Sequence, residues 1–434
     1  MKSNIFKKIK SMLDQIMSSK TIKDILKVYG GDIVTKILAA LSTIILIRTL
    51  DQHDYAHYVS FSAVASIFIS FVGSGINGAL IRFSAEQINK TGQKPLRLYL
   101  ISLIVQIGIM IFSALVIFLF PHQAALLFFG KSDLSSILIV SVVFGLGNIL
   151  FFWGQSVLKS EERFNDYIKT LWVKQITVIV IILILIFSNL INFYWVSWSI
   201  SFSQLALGIG VVLYCFKNEN KRSGLFAPSI NDPSMSDFFK ASSWLIGYGI
   251  AVGIFSQLDK LLLTRFSTTS ELSNYGVAFQ YYSMAILLLG SISAVLIPKF
   301  SKLEMQNPVA QKEFLNKWTK TLVWLIIPIV LLIIVAKPLY VLINGSQYSN
   351  SYTMFSILAI GVWLSLLLSP LTNILMSRKE FRYLFILSLI ALVLSFPIFY
   401  FSITLLGGIG AAIGVIAVHN VILQLPILWR VIKQ

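Results

Sequence analysis

The feature that most constrains this chain is a succession of apolar runs of membrane-spanning length. They fall at about 31–50, 58–81, 98–120, 134–158, 170–188, 193–216, 241–264, 275–297, 321–343, 352–376, 383–401 and 406–429. About 20 such residues cross the hydrocarbon core as an α-helix. Helix is the default, because an open strand would leave backbone groups unpaired in lipid. The expected fold class is therefore all-α, a polytopic membrane protein with twelve transmembrane helices. Composition agrees: 56% of residues are hydrophobic and 12% charged, against roughly a quarter charged in soluble proteins. An ordinary soluble enzyme, a disordered chain and a disulfide scaffold are excluded, and the one cysteine, Cys215, lies in an apolar run.

The net charge of +17 would suggest a nucleic-acid partner if the basic residues were clustered. They alternate instead. Of the 35 Lys and Arg, 29 fall before the first span and in alternate connections after it, 3 in the intervening connections, and Lys36, Arg48 and Lys260 inside spans. Lys174 and Lys337, near span ends, are counted with the adjacent connections. Under the positive-inside rule both termini are cytoplasmic, the chain resides in the cytoplasmic membrane, and no nucleic acid is involved. Residues 1–30 carry no signal-peptide pattern. Ile5, Phe6, Ile9, Met12, Leu13 and Ile16 recur at helical spacing among lysines, which predicts a basic amphipathic segment on anionic membrane lipids.

Shifting the chain by half its length aligns Lys23 with Lys240, Gly30 with Gly247, Arg48 with Arg265 and Tyr58 with Tyr275. The same shift aligns Arg82-Phe83-Ser84 with Lys299-Phe300-Ser301, Pro121 with Pro338, and Phe164 with Phe381. Two pseudo-symmetric six-helix bundles follow, at 31–216 and 241–434, joined by a cytoplasmic linker at 217–240. Bundles so related usually hold substrate between them and work by alternating access.

Catalytic chemistry is hard to find. His53 and His57 share a helical face in the connection DQHDYAH, but no third ligand is close, Asp54 does not complete a protease motif, and no metal is expected. His419 beside Asn420 suits packing, and Gly408, Gly410 and Gly414 suit close helix approach. No nucleotide loop is present, so neither a cofactor nor an enzyme activity is expected. In-span charge is the informative feature, since an ionised group at mid-bilayer must face protein or a water-filled cavity. The first span carries Asp32 and Lys36 with Arg48 at its outer end. The seventh carries Asp259 and Lys260 with Arg265 just beyond, and Arg82 closes the second. Asp32 and Lys36 can be a self-neutralising pair, and the arginines can snorkel. Asp259 and Lys260, as helical neighbours, are expected to point in different directions.

The stretches FVGSGINGALIRFSAE (71–86), FSQLDKLLL (255–263), Tyr275-Gly276, VLIPKFSKL (295–303) and ILMSRKEF (374–381) resemble segments of the polysaccharide flippases. The chain is similar to the lipid-linked oligosaccharide flippases of O-antigen and capsule pathways, within the multidrug/oligosaccharidyl-lipid/polysaccharide exporter superfamily. One departure is Gly73, where members often have an acid, so no role for such an acid carries over. The resemblance implies a V-shaped cavity with a cationic interior and an undecaprenyl-pyrophosphate-linked oligosaccharide as cargo, with other glycan-assembly membrane proteins as possible partners. Lys36, Arg48, Arg82, Lys260 and Arg265 would then form the pyrophosphate pathway, and Asp32 or Asp259 would couple an ion. Two alternatives remain: a cation-coupled multidrug exporter, whose cavity acids should dominate, and a membrane glycan polymerase or glycosyltransferase, which needs a larger outer site.

Overall fold

The computed structural model describes residues 20–217, 235–286, 308–378 and 380–433. The amphipathic segment up to residue 19, the linker between 218 and 234, and the stretch 295–303 lie outside the described residues. Among the described residues every regular element is helical. The first half comprises α1 (Lys20–Thr49), α2 (Gln52–Thr91), α3 (Leu96–Leu119), the short α4 (Pro121–Phe129), α5 (Ser135–Ser160), α6 (Phe164–Phe187) and α7 (Phe193–Phe216). There follow α8 (Met235–Phe255), α9 (Leu258–Phe266) and α10 (269–286). The rest is α11 (Pro308–Trp324), α12 (Ile326–Val335), the short α13 (Lys337–Asn344), α14 (Ser351–Ser377), α15 (Phe381–Ile416), a π turn (Ala417–Ile422) and α16 (Gln424–Lys433).

Nine helices among the described residues are long and apolar enough to cross a membrane, or ten with the bent pair Gln52–Ser70 and Gly75–Thr91. The chain is an all-α, multi-pass membrane protein. The last of the nine, Phe381–Val431, has 51 residues, far more than one crossing needs. It folds back on itself. Gly407 has φ 57° and ψ −132°, and a Cβ on Gly414 would come within 2.6 Å of the Phe399 ring. An unbroken helix would hold those two residues about 22 Å apart. The expected link at Ser402–Leu405 is instead helical, with Thr404 donating back to Tyr400 O at 2.8 Å, and the chain reverses at the following glycine. Glycine takes the left-handed backbone without the cost a Cβ imposes.

The ninth expected span, 321–343, is also displaced. The crossing is carried by Glu313–Val335, and α13 stands apart with Pro338 in its first turn. This short helix buries Tyr340 and Asn344 while Leu339 and Leu342 face outward. An amphipathic helix thus supplied apolar residues that, counted along the sequence, extended the span. Its counterpart α4 occupies the expected 121–133 connection, with Pro121 at its start and Gly130 closing it at φ 67°.

Small residues set the helix contacts, as in other membrane bundles. On α5 a Cβ at Gly147 would lie 2.5 Å from Leu205 N of α7, and Gly208 of α7 abuts Gly147 O in return. The two portions of the chain meet along α2, where Gly75 touches Ile246 of α8, Ser70 touches Gly253, and Val59 touches Gly276 of α10.

Candidate functional site

The seventh span is broken. Gln257 sits between α8 and α9 with φ −118° and ψ −4°, and Asp259 follows in the first turn of α9. A helix start carries partial positive charge, which favours an acid there. Asp259 and Lys260 are 1% and 4% exposed, and Lys260 Nζ lies 3.3 Å from Asp259 Oδ1. The expectation that they diverge is therefore corrected: the flexible lysine stem turns back past the break, so neighbouring residues form an ion pair. Lys260 also donates to Gln257 Oε1 at 2.9 Å and stands 3.5 Å from the centre of the Phe279 ring. Tyr275 donates its hydroxyl to Asp259 Oδ2. A buried pair needs such further partners to offset desolvation. Gln257, Tyr275 and Phe279 complete the cluster, none of them singled out for this by sequence.

The other in-span charges are spread along the first portion. Asp32 accepts from Tyr167 Oη of α6 at 3.3 Å, and Trp172 Nε1 donates to Gly31 O at 3.3 Å, so α1 is docked on α6 there. Lys36 is half-buried one turn further on. Arg82 is exposed at the far end of α2, 5.9 Å from the Phe83 ring. Lys174 is half-buried, donates to Asn148 Oδ1 at 2.9 Å and lies 5.0 Å from the Phe151 ring.

Arg48 and Arg265 sit together at one end of the bundle. Arg48 Nε donates to Ile343 O at 2.7 Å and its Nη2 to Leu342 O, both in the last turn of α13. Arg265 packs on Gly130, the residue closing α4, where a Cβ would come within 2.7 Å of the arginine Cγ. A cavity of about 130 Å³ is lined by His53, His57, Ser60, Lys131, Asp133 and Thr264 among others. His53, Asp54 and His57 bring their donor atoms within 4.8 Å of one another. Asp54 also accepts from Phe193 N at 3.0 Å, and the two imidazoles meet edge to face at 4.3 Å. His419 lies in the π turn with its ring 5.1 Å from Phe255, and Asn420 accepts from Ser365 Oγ at 2.9 Å.

The described residues thus form a multi-pass membrane bundle that buries an ion pair in one of its spans. The polysaccharide biosynthesis protein family matches residues 22–304, more than half of the chain, and the chain belongs to that family. It is 25% identical over 146 residues to the teichuronic acid biosynthesis protein TuaB of Bacillus subtilis (strain 168). That match spans 33% of this chain and 30% of the relative. In fold it is similar to the inward-facing form of a multidrug resistance MATE family transporter of the MOP superfamily, with a TM-score of 0.75 and 14% identity. The likeness covers 92% of this chain and 95% of the other. It is also similar to the lipid II flippase MurJ in an inward closed conformation, with a TM-score of 0.68 and 15% identity over 94% and 87% of the two chains. The chain is thus a multi-pass membrane member of the polysaccharide biosynthesis protein family, and it shares its fold with these solved transporters.

Proposed function

We propose that the protein is a flippase moving polyprenyl-pyrophosphate-linked oligosaccharide from the inner to the outer leaflet of the cytoplasmic membrane by alternating access. Twelve spans in two halves, 31–216 and 241–434, would enclose the path. The observation that carries this reading is the ammonium of Lys260, buried in the broken seventh span of a member of the polysaccharide biosynthesis protein family. A diphosphate cannot cross hydrocarbon unpaired, because burying a lone charge costs far more than burying a matched one. From the inner side it would meet Lys36 and Arg82, then Lys260 with Arg48 and Arg265, while the polyprenyl tail stays among membrane lipids. Asp259 would hold Lys260 between cycles, as Asp32 would Lys36, and either acid is a place for a coupling cation.

A strain lacking the protein should accumulate the lipid-linked oligosaccharide on the cytoplasmic leaflet. Normal lipid pools together with drug sensitivity would instead point to a multidrug exporter of the same fold. Orientation is tested separately. With Cys215 replaced, cysteines at the exposed positions Asn189 and Ser346 should react with an impermeant thiol reagent in intact cells. Cysteines at Gln93 and Glu162, also exposed, should react only after lysis. Labelling of Gln93 from outside would reverse the topology.

A further inference from the structure

We propose that Arg48 and Arg265 are a matched pair of latches that hold the outer ends of the two halves together. Each extends from the end of the first span of its own half to the end of the short outer helix of the other: Arg48 bonds carbonyls in the last turn of α13, and Arg265 packs on Gly130, which closes α4. The inference rests on the alternating-access reading above.

The two contacts are related by the repeat. Arg48 aligns with Arg265, and Pro121, which starts α4, aligns with Pro338 in the first turn of α13. Arg48 crosses to α13, and Arg265 crosses to Gly130 at the end of α4. The last four carbonyls of a helix lack an intrahelical donor, and that end carries the negative pole of the helix dipole. A planar guanidinium suits two adjacent carbonyls, as Arg48 shows on Leu342 and Ile343. The seam around the arginines also joins the halves. Gln52 Nε2 donates to Gln347 O at 2.6 Å, the Tyr55 and Tyr348 rings meet at 5.9 Å, and the Ser60 and Thr264 hydroxyls lie 2.9 Å apart.

Exposure gives the reason these contacts can open. Both arginines are exposed, so releasing Arg48 hands its guanidinium and the two α13 carbonyls to water, and releasing Arg265 gives up only its packing on Gly130. A buried pair such as Asp259 and Lys260 has no such exit. When the outer end opens, the freed guanidiniums border the exit path and become available to a departing diphosphate.

The test is a distance measured across the seam. Spin labels are placed on cysteines at His53 and Ser349, both exposed, one in each half, with Cys215→Ser. In the otherwise unaltered chain a short separation should dominate. Arg48→Ala and Arg265→Ala should each raise the ratio of long to short separations about tenfold, equivalent to roughly 1.4 kcal/mol. The double variant should approach a hundredfold if the latches act independently. Arg48→Lys should fall between, since an ammonium is a point donor and not a fork. Should the alanine variants fail to accumulate, Arg48→Gln and Arg265→Gln keep most of the stem and carry the same expectation. An unchanged distance distribution in both single variants would overturn the latch, whatever happens to transport. Opening of the distances in the variants, together with no movement of lipid-linked glycan by the otherwise unaltered chain, would leave the latch standing and defeat the flippase reading.

Discussion

Lys260→Ala should abolish glycan export and also lower the amount of protein in the membrane, whereas Asp259→Asn with Lys260→Met should restore the amount without restoring export. Removing the lysine alone leaves Asp259 buried at 1% exposure with only the Tyr275 hydroxyl on its carboxylate among the described contacts. Breaking one side of a buried pair costs roughly 3–5 kcal/mol, while replacing both members with apolar or neutral groups is often close to neutral. The double variant therefore separates the pair's part in folding from its part in transport. Lys260→Arg should retain partial export: it keeps the charge, but a bidentate guanidinium holds phosphate more firmly and slows release. The readouts are membrane abundance by immunoblot and surface glycan in a deletion background. Wild-type export from the double variant would remove Lys260 from the diphosphate path.

Much of this cluster was legible in the sequence, and the reason it was only part is geometric. An acid and a base in an apolar run stand out because lipid penalises them, so Asp259 and Lys260 were found. Their mutual pairing was not, because neighbouring positions on a regular helix diverge by about 100°. The break at Ser256 and Gln257 and the length of the lysine stem removed that constraint. Gln257 was visible as a polar residue inside FSQLDKLLL, but Tyr275 and Phe279 reach the pair from α10, and no local pattern encodes that contact. Asp32 makes the same point: its tyrosine partner lies 135 residues away on α6. Arg48 and Arg265 were legible as repeat partners at span ends. Their crossing to α13 and α4 was not, since both short helices read as connection or span until folded.

Gly410→Val should nearly eliminate folded protein from the membrane, while Gly108→Val, an identical change in an equally apolar helix, should be tolerated. The difference lies entirely in what the new side chain meets. At Gly410 a Cβ would collide with the carbonyl of Ser402, and within the hairpin closed at Gly407 that atom belongs to backbone, which cannot rotate aside. At Gly108 nothing lies within 4 Å. Overpacking ordinarily costs about 1–3 kcal/mol where side chains can yield, and a backbone collision exceeds that. Valine is meanwhile no worse a helix former than glycine. The hairpin also bears on the site. It carries the π turn with His419 and Asn420, and Glu271 of α10 accepts from Gly408 N just after the reversal. Parting its two arms would loosen the packing behind α8, since the His419 ring lies against Phe255 at the end of that helix. Membrane abundance and the midpoint of thermal unfolding in detergent give the comparison. Equal abundance of the two variants would show that the chain does not depend on the close approach of these two arms.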